Sequence, residues 1–394
     1  MADAEMQLSD GSVDVGLPTI AREWGRIGCI GFGGPPTHIA LLRRLCVQQR
    51  GWIEASEFED AISATNLLPG PASTQLAIYT AWRLRGVIGA IVGGLGFIVP
   101  GLVLILALAA FFLSGGTPLW ARGAAAGAGA AVAAVAVHAA MGLVPASWRR
   151  AGPHRPARAR WIGYALVGAV AAASVGPWLV LVLIVAGLVE VVVRSGLAGR
   201  AGLVSPPVPL AIAAHAGSAL AALGWVAFKV GALSYGGGFV IIPLMQSDAV
   251  NHYHWMTSGQ FLNAVALGQI TPGPVVQTVA VVGYAAAGVA GGLLAAAVAF
   301  TPSFLFVILG GPRFDQLRTN RYIQAFLSGA GPAVIGAIVG SAIPLALALQ
   351  NVWQFVILAG AALWLLVARR GVVGTLLGAG ILGVGAALAG LPTG

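Results

Sequence analysis

The sequence predicts an all-α polytopic membrane protein of two homologous halves in inverted topology, with helices broken at Gly-Gly-Pro and Pro-Gly-Pro motifs. Three observations predict it. The first is composition. Of 394 residues, 58% are hydrophobic and 8% are charged, against about 45–50% and about 25% in soluble domains. So few charges cannot cover a water-soluble surface. A cytosolic enzyme, a disordered chain and a secreted disulfide scaffold are excluded. The second is an internal repeat that carries Trp52 onto Trp255. The third is the placement of arginine. The formal net charge is +9, but the basic residues gather between apolar runs. That is the pattern of cytoplasmic loops, not of a nucleic-acid surface.

The elements follow in chain order. Residues 1–16 form a polar tail with Asp3, Glu5, Asp10 and Asp14. It lacks the basic and apolar regions of a signal peptide. A first repeat is expected over 17–200, a linker over 201–209 and a second, inverted repeat over 210–394. A membrane span needs about 20 apolar residues. The runs 87–113, 123–145, 208–233, 288–311, 322–349, 352–368 and 372–391 qualify. The run 161–193 is divided by Gly176-Pro177 into two short spans. Shorter runs at 18–31, 36–47, 58–67, 72–81, 239–250, 261–270 and 275–287 read as broken helices. Such breaks are tolerated at membrane depth where protein or a water-filled cavity satisfies the backbone. Whether the first element of each half crosses or is re-entrant stays open.

The repeat is dense around two motifs. Gly28 to Gly34 falls on Gly231 to Gly237, and Arg26 on Lys229. Pro69-Gly70-Pro71 falls on Pro272-Gly273-Pro274, Ala77 on Ala280, Gly89 on Gly292 and Phe97 on Phe300, with no gap. Equivalent loops carry opposite charge bias. Arg43, Arg44, Arg50, Arg83 and Arg85 have no basic counterparts in 246–253 or 286–288. Arg313, Arg318 and Arg321 have none in 110–118. The positive-inside rule then inverts one half relative to the other. It places Arg149, Arg150, Arg155, Arg158 and Arg160, and also Arg369 and Arg370, in the cytoplasm.

The motifs offer anion-binding chemistry. Gly33-Gly34-Pro35 and Gly236-Gly237-Gly238 read as a helix end, a turn and a helix start. Helix starts expose free N–H groups and the positive end of a dipole. Close helix packing through small residues is the competing reading. At the Pro-Gly-Pro motifs the helix cannot continue. The N–H groups of Ala72, Ser73 and Thr74, and of Val275, Val276 and Gln277, are expected to be free. Asn66, Ser73, Thr74, Gln75, Gln269, Thr271, Gln277 and Thr278 lie nearby in sequence. Arg26 and Lys229, the only lysine, are costly charges in apolar segments and suit an oxyanion. Glu23 is the expected partner of Arg26. His38 either lines the pathway or is a satisfied core histidine. His138 and His215 read as structural. His252 and His254, with Trp255, read as an interfacial loop. Asp248 and the run Glu54, Glu57, Glu59, Asp60 read as solvated loop faces. Cys29 and Cys46 read as inert thiols. No metal or cofactor site is expected, and no nucleophile–base set points to an enzyme.

These residues resemble the chromate ion transporter family in its long two-domain form. The resemblance rests on Gly31-Phe-Gly-Gly-Pro-Pro-Thr-His38, Leu68-Pro-Gly-Pro71 and Phe97-x-x-Pro100-Gly101. In the second half it rests on Lys229-x-Gly-x-x-x-Tyr235-Gly-Gly-Gly238, Gly268-Gln-Ile-Thr-Pro-Gly-Pro274 and Phe300-Thr-Pro302. Two departures are visible: Gly238 stands opposite Pro35, and the Phe-to-Pro spacing is one shorter in the second half. The resemblance implies an inner-membrane secondary transporter of chromate, moved outward, with exchange for sulfate or a similar oxyanion. The N-terminus is expected in the cytoplasm. A homodimer is left open. Uptake of sulfate or another anion, and an anion channel, are the alternatives. The expected substrate-binding set is Arg26, Gly33, Gly34, Pro35, His38, Pro69, Gly70, Pro71, Thr74 and Gln75 in the first half. In the second it is Lys229, Gly236, Gly237, Gly238, Gln269, Thr271, Pro272, Gly273, Pro274 and Gln277.

Overall fold

The structure, a computed structural model, describes residues 15–65, 70–113, 115–174, 179–195, 219–234, 241–311 and 320–393. Among them the regular structure is helical, with no strand. The first half comprises α1 (Leu17–Ile30), α2 (Pro35–Arg43), α3 (Ala55–Thr65), α4 (Ala72–Leu113), α5 (Leu119–Ala130), α6 (Val132–Ala151), α7 (Arg155–Ser174) and α8 (Leu179–Ser195). The second comprises α9 (Ala219–Leu233), α10 (Ile241–Gln246), α11 (Ser258–Ile270), α12 (Thr278–Gly310), α13 (Arg321–Leu347), α14 (Val352–Ala362) and α15 (Val372–Leu388). The expected linker and the start of the expected 208–233 span fall outside the described residues. Among the described residues four stretches are long and apolar enough to cross a bilayer: Ala72–Leu113, Leu119–Ala151, Val275–Gly310 and Arg321–Leu347.

α4 has 42 residues. As a straight helix it would reach about 63 Å, roughly twice the hydrocarbon thickness. It is instead a hairpin of two helical arms. Arg85 (φ −150°, ψ 27°) and Gly86 (φ 59°, ψ −149°) reverse the chain. The second arm folds back on the first through glycine, with Gly89 against the Ala81 carbonyl, Gly93 against the Ala81 methyl and Gly94 against Ile78. α12 repeats the device at Ala287 (φ −153°, ψ 33°) and Gly288 (φ 61°, ψ −155°). There Gly291 lies on the Gly283 carbonyl. Apolar runs expected as separate segments, 72–81 with 87–113 and 275–287 with 288–311, are therefore the arms of two hairpins.

The matched backbone features give the register of the repeat. π-helical turns occupy Arg44–Gln49 and Ser247–His252, a spacing of 203. The hairpin turns Gly86 and Gly288 are 202 apart. The ungapped alignment expected from sequence thus slips by one after the Pro-Gly-Pro motifs. The cause is local. α4 starts as an α-helix at Ala72, whereas a 3-10 turn, Val275–Gln277, precedes α12. Three residues at about 2.0 Å rise cover the ~6 Å that four α-helical residues cover. In the corrected register Gln277 matches Gln75 and Pro302 matches Pro100. The shortened Phe-to-Pro spacing in the second half follows from the same slip.

Packing interlocks the halves. α4 packs on α1 and α12, and α12 packs on α9. Beyond the hairpins the partners are exchanged: α13 lies against α6, α7 and α8, and α15 lies against α5. Small residues allow the close approach. Gly336 and Gly340 of α13 meet the Ala165 and Ala169 carbonyls of α7, and Gly123 and Gly127 of α5 meet Gly383 of α15.

The hairpin turns supply a clean test, because nothing lies within 4 Å of a Cβ added at Gly86 or Gly288. Their φ and ψ are open almost only to glycine, at a cost of about 1–3 kcal/mol otherwise. Gly86→Ala and Gly288→Ala should each lower the melting temperature of the detergent-solubilised protein. The control Val87→Ala, at the exposed neighbour, should not.

Candidate functional site

The turn from α1 to α2 passes through Gly33 and Gly34, with φ of 97° and 76°. Pro35 opens α2. The Gly31 carbonyl just before the turn accepts two hydrogen bonds. One comes from the Gly273 N–H at 3.1 Å, in the Pro-Gly-Pro loop of the other half. The other comes from His38 Nε2 at 2.8 Å. A carbonyl cannot donate, so Nε2 carries the proton and Nδ1 of the neutral ring is an acceptor. Ser73 Oγ lies 3.2 Å from Nδ1. The buried imidazole also meets Phe97 edge to face, at 5.0 Å. Of the two readings the sequence allowed, His38 is a satisfied buried histidine that ties α2 to the start of α4.

Each Pro-Gly-Pro loop rests on the long helix of the other half, beside a proline. Gly273 has φ 93° and Gly70 has φ 119°. Gln277 Nε2 donates to the Ile98 carbonyl at 2.7 Å. Gly101 has no Cβ, and this lets the Pro272 carbonyl and the Gln277 amide approach α4 beside Pro100. In the mirrored arrangement Gly70 and Gln75 lie against Ser303, beside Pro302. Ser303 stands where the other half has Gly101. Two expected free N–H groups are spent locally: Thr74 donates to the Pro71 carbonyl and Gln277 to the Pro274 carbonyl, both at 2.9 Å. The groups a first helical turn cannot satisfy internally are those of Ala72 and Ser73, and of Val275 and Val276.

Buried polar atoms concentrate here. Thr74 Oγ1, Gln269 Nε2, Gln277 Oε1, Ser234 Oγ and Ser303 Oγ have no hydrogen-bond partner among the described residues. Each such atom costs about 1–3 kcal/mol when left unmet. Native proteins keep few, and usually for a reason. Ser234 and Ser303 were absent from the sequence-based set. Their signal was positional, since both stand where the other half has glycine: Gly31 and Gly101. Thr271 belongs to the same buried region, but its hydroxyl donates to the Leu267 carbonyl of its own helix at 2.8 Å. Pro69 and Gly236 to Gly238 fall outside the described residues.

The two expected cations differ. Lys229 Nζ lies 2.6 Å from Asp248 Oδ2, with side-chain exposures of 13% and 5%, and 5.8 Å over the Trp225 ring. Asp248 is therefore not the solvated loop acid the sequence suggested. The π turn after α10 directs it onto α9. Its repeat position holds Leu45, itself buried, so the site is a core position. Arg26 is exposed on α1. Its expected partner Glu23 pairs instead with Arg50 at 3.0 Å. Within the acidic run, Glu59 pairs with Arg43 at 2.8 Å and Glu57 pairs with Arg83. No group of His, Cys, Asp or Glu able to hold a metal ion occurs among the described residues.

Comparison with known proteins gives one family. The family model described as Chromate transporter matches residues 18–191 and 221–384. The chain is 32% identical over 337 residues to a chromate transport protein of Cupriavidus metallidurans, covering 82% of this chain and 80% of that one. It is 32% identical over 346 residues to a chromate transport protein of Pseudomonas aeruginosa, covering 84% and 81%. A probable chromate transport protein of Synechococcus elongatus is 29% identical over 342 residues, covering 84% of each. No solved structure matches the chain.

The Lys229–Asp248 pair makes a stability prediction. Removing one partner strands the other charge, at about 3 kcal/mol or more, whereas replacing both with apolar groups is often neutral. Lys229→Met should markedly lower the melting temperature in detergent. Lys229→Met with Asp248→Leu, the residue of the first half, should restore most of the loss.

Proposed function

The chain belongs to the chromate transporter family, and on that premise we propose that it exports chromate by alternating access, in exchange for sulfate or a similar oxyanion. The observation that carries the reading is the buried polar cluster where the Pro-Gly-Pro loops meet α4 and α12. A tetrahedral oxyanion carries acceptors on every face and is bound by donors. The Thr74 and Ser303 hydroxyls, the Gln269 amide and the first-turn N–H groups of Ala72 and Ser73 are such donors. They meet an anion without a counter-charge that would hold it permanently. Gln277 has a different part in this reading. Its amide nitrogen gives one of its two hydrogens to the Ile98 carbonyl, so it anchors the loop and leaves one N–H and its Oε1 for the site.

The two halves are read as inverted. The opposite arginine bias of equivalent loops supports this, and so does the recurrence of π turn, hairpin and proline at matched positions. Rocking of one half against the other would expose the cluster to each side in turn. The chain would lie in the inner membrane with its N-terminus in the cytoplasm. Lys229 is read as held by Asp248 until substrate or movement separates them, and Arg26 as a charge at the entrance. Gly33, Gly34 and Pro35 would shape the turn that flanks the cluster, and Gly236, Gly237 and Gly238 remain candidate substrate-binding residues of the second half.

Cells making the protein should accumulate several-fold less labelled chromate than cells lacking it. Rising sulfate should alter that difference if sulfate shares the path. Thr74→Val with Gln269→Leu keeps side-chain volume and removes two donors. It should lower chromate flux in everted vesicles at least tenfold at an unchanged protein level. Wild-type flux in that double variant would remove the cluster from the path.

A further inference from the structure

A second polar site lies at one end of the molecule, away from the central cluster. It is a cavity of about 460 Å³, within the size range of small-ligand pockets. Its walls come from the end of α4, one face of α5 from Arg122 to Gly129, the start of α11, the turn between α13 and α14, and the C-terminal segment. Arg122 is the one charged residue in its lining. That arginine has no ion pair among the described residues.

The polar side chains around Arg122 are oriented as donors by local backbone bonding. Gln354 Oε1 accepts the N–H groups of Gln350 at 2.9 Å and Asn351 at 3.0 Å. Gln260 Oε1 accepts the Thr257 N–H at 2.8 Å. Thr257 Oγ1 accepts the Gln260 N–H at 3.2 Å. These capping arrangements use the oxygens. What remains is the NH2 of Gln354, the NH2 of Gln260 and the hydroxyl hydrogen of Thr257. A cavity lined by a guanidinium and spare donors, with no side-chain carboxylate among the described residues, selects an anion.

Its place in the fold gives it a use. The stretch Leu119–Ala151 starts at this cavity and ends beside Arg149 and Arg150. The cavity thus opens on the face opposite those arginines, which the positive-inside rule makes the outer one. α11 runs inward from it, from Gln260 to Gln269 of the central cluster, about 14 Å along the helix. We propose that the cavity around Arg122 is an outer vestibule that binds a divalent oxyanion entering or leaving the central site. The proposal rests on the transport reading above and assigns that reading a second anion site.

The test uses the full-length protein in right-side-out vesicles, with Cys29→Ser to remove the exposed thiol and Ala125→Cys as a reporter in the cavity wall. An anionic, membrane-impermeant methanethiosulfonate is added outside, and the labelling rate is followed. Sulfate should slow labelling at least threefold, while chloride at equal ionic strength should not. Adding Arg122→Gln should abolish the protection. Labelling that sulfate leaves unchanged would overturn the site, as would labelling only in everted vesicles. Chromate flux measured in parallel separates the two claims. Protection without flux sinks the transport reading and leaves the site. Flux without protection sinks the site alone.

Discussion

A broken helix inside a membrane must find its own hydrogen-bond partners, because hydrocarbon offers none. This constraint organises the molecule. The α1–α2 turn and the 271–274 loop both interrupt the backbone, and each partly satisfies the other: the Gly273 N–H is met by the Gly31 carbonyl. The prolines continue the theme. Pro100 and Pro302 each remove an N–H from a long helix and loosen the carbonyls one turn earlier. Glycine faces pack on the same turns, Gly28 on the Gly96 and Phe97 carbonyls and Gly231 on the Ala299 carbonyl. Small residues beside the prolines then admit the loop of the other half. The polar cluster is thus a consequence of the way two interrupted backbones are closed against each other.

Much of this was legible in the residues. Composition gave the membrane, and paired tryptophans and Pro-Gly-Pro motifs gave the repeat. The part that was not legible depends on how far a residue is carried along a helix axis. The 3-10 turn at Val275–Gln277 changes rise per residue, and no side chain in that segment announces it. The ungapped alignment therefore paired Phe97 with Phe300 when the prolines are the equivalent positions. Asp248 was misread for a related reason. In sequence it is an acid in a polar stretch; in space a π turn presents it to α9. Its apolar repeat partner Leu45 was the available signal, together with the need of a lone lysine in an apolar helix for a counter-charge. Glu23 was likewise assigned by helical spacing, which cannot see Arg50 arriving from another segment.

The halves share a backbone plan but differ at the points that carry chemistry. His38 faces Ser73 in the first half, while Ile241 stands at its repeat position. Leu45 becomes Asp248, Gly101 becomes Ser303 and Gly31 becomes Ser234. In every one of these pairs the polarity changes. On the proposed alternating-access reading two nearly equal conformations would be needed, and a repeated scaffold can supply them. Binding a substrate needs a single set of donors, and this does not require both halves to contribute alike. Divergence concentrated in side chains would satisfy both demands.

The charge distribution follows from the same economy. A fixed cation at the centre would bind a divalent anion tightly and release it slowly, whereas a carrier must do both. In this structure the buried lysine is neutralised by Asp248, and the unpartnered central groups are hydroxyls and amides. Arginine sits instead near the ends, at Arg122 and in the loops around Arg149 and Arg369. Charges at the ends raise the local concentration of anions by long-range attraction. On the proposed reading, neutral donors in the middle would replace water around the ion with bonds that break again at modest cost. On that reading the scarcity of charge in the sequence would be a division of labour: attraction at the surfaces, coordination without counter-charge within.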